Sequence, residues 1–142
     1  MSNSETVANP VFSASVKAAQ ARLGSRKMWS NRDDGWRSEI DTDMSAWLAE
    51  RDSFYFATAS ADGQPYIQHR GGPKGGLKQL GPTTLGFADF TGNRQYLTVG
   101  NLTENPKAHI FVMDYANRQR VKFWGTARIV EDDEEILSTL VV

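Results

Sequence analysis

Two hydrophobic periods divide the chain. Over residues 12–23 apolar side chains recur at helical spacing, with Phe12, Val16, Ala19 and Leu23 on one side. Ser13 stands where an N-cap is needed, and Gly24 where a helix can stop. A second, short helix is expected after Asp41 or Asp43, turning Met44, Trp47 and Leu48 inward. At Phe54 the period changes to alternation. Residues 54–60 are aromatic and rich in strand formers, Ala61-Asp62-Gly63-Gln64 reads as a hairpin turn, and residues 65–70 resume as a strand. Strands joined this tightly are antiparallel. Residues 83–88 read as a third strand followed by a loop over 89–93, and 94–105 as short helical turns. Residues 108–115 form a strongly apolar strand, Ala116-Asn117-Arg118 a turn, and 119–130 a long strand. In that last strand Val121, Phe123, Gly125, Ala127 and Ile129 alternate with Lys122, Trp124, Thr126, Arg128 and Val130. The acidic run 131–135 opens a final helix, where negative charge suits the N-terminus.

Consecutive hairpins with few helices predict a mainly β fold with flanking helices, built as an antiparallel barrel. Residues 1–11 read as a disordered lead-in, and 25–37 as basic and irregular with Met28, Trp29 and Trp36 as apolar anchors. The expected division is a helical and irregular extension over 1–43 and one barrel domain over 44–142.

Composition narrows the function. Hydrophobic residues are 39% of 142, enough for one core and not two. The formal net charge of −1 creates no global field toward nucleic acid or an anionic membrane. There is no cysteine, which removes disulfides, thiolate metal sites and thiol nucleophiles. Residues 1–9 lack the apolar run of a signal peptide, and no stretch nears the ~20 apolar residues of a membrane span. A soluble, cytoplasmic protein is the expectation.

The most informative segment is Gln68-His69-Arg70-Gly71-Gly72-Pro73-Lys74-Gly75-Gly76. A strand ends in charge and runs into glycines, whose backbone amides can approach a ligand while Arg70 and Lys74 supply positive charge. That suits a phosphate, although the Gly-Lys-Ser/Thr ending of a P-loop is missing. The competing reading is a surface loop with solvated charges. Gly92-Asn93-Arg94 is a second such turn, in which Arg94 can hold a phosphate bidentately or simply lie on the surface. Asn101-Leu102-Thr103-Glu104-Asn105-Pro106 is a connector signature. His69 and His109 are the only histidines, too few for a metal site without clustered carboxylates. No serine sits in a nucleophile elbow, and no spacing suggests a triad, so no catalytic side chain is named.

Taken in order, these pieces resemble the FMN-binding pyridoxamine 5′-phosphate oxidase-like family. The resemblance runs over about residues 44–137, through Phe54-Tyr55-Phe56-Ala57-Thr58-Ala59-Ser60-Ala61-Asp62-Gly63-Gln64-Pro65, His69-Arg70-Gly71-Gly72-Pro73, Gly92-Asn93-Arg94, Asn101-Leu102 with Asn105-Pro106, and Val121-Lys122-Phe123-Trp124-Gly125-Thr126-Ala127. It implies a split barrel that forms a homodimer with two FMN sites at the interface. Carried over, Gln68, His69, Arg70 and Gly71 line the flavin ring and ribityl chain. Lys78, Ala88, Asp89, Asn93 and Arg94 lie near the ribityl and phosphate, Asn101 borders the same site, and Trp124 packs by the ring from the partner subunit.

Two departures matter. True pyridoxamine phosphate oxidases end in a tail carrying an arginine for substrate and flavin, whereas this sequence stops at Val142 after the start of an expected helix. Glycines at 71–76 also replace an apolar strand continuation. The expectation is therefore an FMN-dependent oxidoreductase acting on an unidentified small molecule, and not vitamin B6 oxidation. The alternatives are a non-catalytic flavin-binding or sensing protein, a deazaflavin binder, a haem binder with His69 or His109 as axial ligand, and a barrel for single-stranded nucleic acid. The near-neutral charge argues against the last.

Overall fold

A computed structural model of the chain describes residues 6–88 and 96–131, together with Asp133 and Glu135. The chain forms two compact units, one built from residues up to Ser45 with Gln79–Thr84, the other from Ala46–Lys78 and from Leu85 onward.

In the first unit β1 (Thr6–Val7) pairs antiparallel with β2 (Trp36–Arg37), and between them lie α1 (Ala14–Leu23), α2 (Arg26–Trp29) and a 3-10 turn at Ser30–Arg32. Helix α1 starts where Ser13 Oγ accepts the Val16 N–H at 3.2 Å, and it stops at Gly24, whose φ of 88° only glycine adopts without cost. The pairing of β1 corrects the expected disordered lead-in where the described residues begin, because Thr6 pairs with Arg37 and Val7 with Trp36. The basic segment 25–37 is likewise regular. Arg26 donates to Gln20 Oε1 at 2.6 Å and pairs with Asp33. Helix α3 (Thr42–Ala49) is capped by Asp41, whose Oδ1 accepts the Met44 N–H at 2.8 Å. That amide is the main reason the Asp41 carboxyl titrates below its ordinary range. Gln79 belongs to this unit through bonds of 3.0 Å from Nε2 to the carbonyls of Ile40 and Gly81.

The second unit is built on β3 (Ser53–Ala59) and β4 (Pro65–Gly71). In chain order these are followed by β5 (Lys78–Gly81) and β6 (Thr84–Gly86), a hairpin of which 79–84 belong to the first unit, then by α4 (Leu97–Glu104), β7 (Lys107–Asp114) and β8 (Gln119–Thr126). The main sheet has the order β4-β3-β7-β8, antiparallel throughout. Asp62-Gly63 makes the expected turn, with Gly63 at φ 93°. The expected strand at 83–88 is shorter and pairs with β5, which no sequence signal marked because it is brief and follows the glycine loop. Strand β8 ends at Thr126 rather than at 130. The expected loop at 89–93 and most of the expected last helix lie outside the described residues. The fold is thus mainly antiparallel β with flanking helices, a split barrel in class.

One face of the sheet is the core. Phe54, Phe56 and Thr58 of β3 are buried, as is Val112 of β7. Register puts Gln68 opposite Phe56, Ile110 opposite Phe56 on the other side, and Phe123 opposite Ile110. The Phe87 ring stands edge-on to Phe54 and Phe56 at 4.9 and 5.1 Å. Helix α4 is tied to this face by polar contacts: Asn101 Nδ2 donates to Thr58 Oγ1 at 3.0 Å and Thr98 Oγ1 to Gln68 Oε1 at 3.4 Å. Asn105 Nδ2 donates to the Ser60 carbonyl at 3.2 Å. At the far end of β7 the Arg51 guanidinium meets Asp114 at 2.9 Å and stacks 4.7 Å over Trp47. Asn117 Nδ2 donates to the same carboxylate at 2.8 Å.

Two outcomes are expected. Leu48 is almost wholly buried, so Leu48→Ala lowers unfolding free energy by about 2–5 kcal/mol, read from urea denaturation. The Asp114 carboxyl is held below its ordinary value of 3.8, chiefly by Asn117 and further by Arg51. A depressed carboxyl stabilises the fold above that value and loses the contribution as pH falls through the folded one. Asp114→Asn is therefore less stable than the parent at pH 7, and the gap between their urea midpoints narrows below pH 3.8.

Candidate functional site

Strand β4 is the outer strand of the sheet, so Gln68-His69-Arg70-Gly71 runs along an edge. Alternation sends these residues to opposite faces. Gln68 and Arg70 point to the core face, where Arg70 lies 5.4 Å over the Phe87 ring. His69 points the other way, 5.4 Å from the Tyr55 ring, and Gly71 shares its face. A ligand lying along this edge can touch both sets.

The glycine loop beyond β4 is anchored rather than open. The Gly72 N–H donates to the Asp52 carbonyl and the Gly75 N–H to the Arg51 carbonyl, both at 3.0 Å. Gly75 needs to be glycine, since φ is 78° there. Lys74 faces Glu50 at 3.6 Å. Two amides and one cation that sequence alone offered to a phosphate are thus engaged within the chain.

Of the other expected site residues, Lys78 opens β5 and is half-buried, and Ala88 follows Phe87, also half-buried. Asn101 is the tie from α4 to Thr58. Asp89, Asn93 and Arg94 lie outside the described residues. Trp124 sits on β8, the opposite edge of the sheet from β4. Three strand spacings of ~4.8 Å put these edges about 14 Å apart. The structure therefore does not bring Trp124 and the β4 run to one point within one chain.

The face opposite the core gathers residues from all four strands that no single sequence motif joins. By register it carries Tyr55 and Ala57 of β3, Ile67 and His69 of β4, Lys107, His109, Phe111 and Met113 of β7, and Arg120, Lys122 and Trp124 of β8. Ile67 is 61% and Trp124 43% exposed, high values for apolar side chains on a paired strand. Tyr55 and Phe111 rings lie 6.3 Å apart, and the Tyr55 hydroxyl meets that of Tyr115 at 3.0 Å. No Asp or Glu stands on this face among the described residues. Lys107, Arg120 and Lys122 make no ion pair with a described residue; Lys122 lies 5.9 Å over Phe111.

His109 is the polar centre of this face. Its ring is edge-on to Trp124 at 4.6 Å, and its Nδ1 is buried without a hydrogen-bond partner among the described residues. Burial first, and Lys122 second, push its pKa below 6.5, which keeps the imidazole neutral at pH 7. The alternation that sets Lys122 and Trp124 together, against Val121 and Phe123, was a sequence signal for this surface, as were the strand aromatics Tyr55 and Phe111. Among the described residues no group of three His, Asp or Glu side chains could hold a metal ion, and no helix is long and apolar enough to cross a membrane.

Comparison with known proteins agrees with this architecture. No curated protein sequence matches the chain. Among solved structures it is similar to the crystal structure of a histidine-to-alanine variant of HupZ from Group A Streptococcus. The TM-score is 0.55 and the identity 23%, over 70% of this chain and 77% of that one. The family profile described as pyridoxamine 5′-phosphate oxidase matches residues 40–141, which span all four strands of the main sheet together with α3 and α4. The chain belongs to the pyridoxamine 5′-phosphate oxidase family.

Proposed function

We propose that the chain is an FMN-binding flavoprotein, a flavin-dependent oxidoreductase acting on a small molecule, assembled as a homodimer with the cofactor between two copies. The observation that carries this reading is the placement of the β4 run and Trp124 on opposite edges of one sheet. The family resemblance assigns both to one flavin, and a separation of about 14 Å within one chain suits a site to which the second copy contributes Trp124. The residues fit the group. A flat ring system with a phosphate tail needs aromatic surfaces, cations and the absence of carboxylates. The edge and face of the sheet supply His69, Tyr55 and Trp124, then Arg70 and Lys122. The orphaned His109 Nδ1 is a further polar atom that a bound group or a second copy would satisfy.

When bound, FMN supplies the redox chemistry. The chain's own part is to bind and orient. Arg70, with Arg94, carries the phosphate, and Gln68 and His69 line the ring and ribityl chain along the β4 edge. Lys78, Ala88, Asp89, Asn93 and Asn101 border the tail. Trp124 of the second copy would pack by the ring.

The test is a titration of FMN by fluorescence quenching into the parent and into Arg70→Ala and Arg94→Ala. Each charge-assisted contact to a phosphate is worth roughly 1.5–3 kcal/mol, so each loss weakens binding by about tenfold or more. Unchanged affinity in both variants, with circular dichroism unaltered, removes the phosphate assignment. A second expected outcome concerns turnover: FMN-loaded protein oxidises reduced nicotinamide faster than free FMN does. A rate equal to that of free FMN leaves a flavin binder without this activity.

A further inference from the structure

Arginine is a long side chain with many rotamers, and a ligand that has to order it binds more weakly. Arg70 meets a ring that is itself held in place. The Phe87 ring is half-buried and stands edge-on to Phe54 at 4.9 Å and to Phe56 at 5.1 Å, and both of those side chains are buried. Two such contacts fix the direction in which its face points. Register sets Arg70 directly opposite Phe54 on the neighbouring strand, so the guanidinium arrives over Phe87, with its carbon 5.4 Å from the ring centroid. A cation within about 6 Å of a ring face is attracted by the charge distribution of the ring. That contact involves no oxygen acceptor, so it orients the cation without competing with an anion for it.

We propose that Phe87 is a positioning residue for the cofactor: its ring holds the Arg70 guanidinium in place for the flavin phosphate, and thereby sets a preference for FMN over riboflavin. The inference rests on the FMN reading above and adds to it a residue that the reading does not include. Two further observations support it. Phe87 directly precedes Ala88 and Asp89, which the family resemblance puts beside the ribityl chain and phosphate. The same sheet also carries a completed version of the arrangement. Arg51 lies 4.7 Å over the Trp47 ring while its guanidinium meets the Asp114 carboxylate at 2.9 Å. An arginine held over an aromatic ring and addressing an oxyanion is thus a unit this fold already builds.

Titration of FMN and of riboflavin, followed by quenching of flavin fluorescence, tests the proposal. Phe87→Leu is expected to weaken FMN binding about three- to tenfold, the effect of leaving one long side chain to be ordered by the ligand, and to leave riboflavin binding unchanged. Phe87→Tyr keeps the ring and binds FMN as the parent does. In the Arg70→Ala background Phe87→Leu has no further effect. Leucine also alters the packing against Phe54 and Phe56, so a second series keeps the shape of the ring. Phenylalanines carrying one, two and three ring fluorines at position 87 draw charge from the ring face, and FMN affinity is expected to fall stepwise along the series while riboflavin affinity stays level. Equal losses for FMN and riboflavin overturn the proposal, as do a flat fluorine series and a Phe87→Leu effect that persists without Arg70. A parent that binds FMN but shows a flat series sinks only the role of Phe87. A parent that binds no FMN sinks that role and the flavin reading together.

Discussion

Strand β3 has a neighbour on each side, and its alternation dictates both surfaces of the sheet. Phe54, Phe56 and Thr58 face the core, and that fixes Tyr55 and Ala57 on the other side with no freedom left. A slip of one residue would bury Tyr55 and expose both phenylalanines, so the register is strongly specified. The same constraint propagates to β4, where it separates Arg70 from His69, and through β7 to β8, where it sets Lys122 beside Trp124. The core and the candidate binding surface are thus two sides of one choice.

The polar contacts on the core face hold that choice in place. Thr58 is a buried hydroxyl in an otherwise apolar row, and it is satisfied by Asn101. Removing the amide would leave Thr58 desolvated without a partner, which costs about 1–3 kcal/mol. Asn105 likewise fastens the end of α4 to the carbonyl of Ser60 at the β3–β4 turn. The family motif Asn101-Leu102 with Asn105-Pro106 therefore has a structural explanation within this chain, alongside any part Asn101 plays toward a ligand. Asp114 does a similar service at the other end, where Arg51 and Asn117 both reach a buried carboxylate.

Much of this was legible in sequence, and the remainder was not for physical reasons. Ser13, Gly24, Asp41 and Asp62-Gly63 act through contacts within four residues, so their roles follow from spacing. Alternation of β3 and β8 is equally local. The pairing of Tyr55 with Phe111, 56 residues apart, depends on strand order, which periodicity does not encode. The β1–β2 pairing was invisible because two residues carry no period. The glycine loop misled for a related reason. Glycines announced backbone freedom, but Gly72 and Gly75 use it to reach the carbonyls of Asp52 and Arg51. Sequence shows where amides are free to turn, not what they turn toward.

Net charge is also a sum that hides where charges stand. A total of −1 suggested a surface without a directed field, yet the total is a sum over faces that never meet. Acidic residues cluster in the run 131–135 and at the loop ends around Glu50 and Asp52. Among the described residues, the lysine and arginine side chains on the outward side of the four paired strands have no Asp or Glu beside them on that side. Within a Debye length of roughly 8–10 Å a ligand senses that face and not the sum. An anion approaching the sheet therefore meets a positive, aromatic surface on a molecule that is formally acidic. This local field is what the topology adds to the composition.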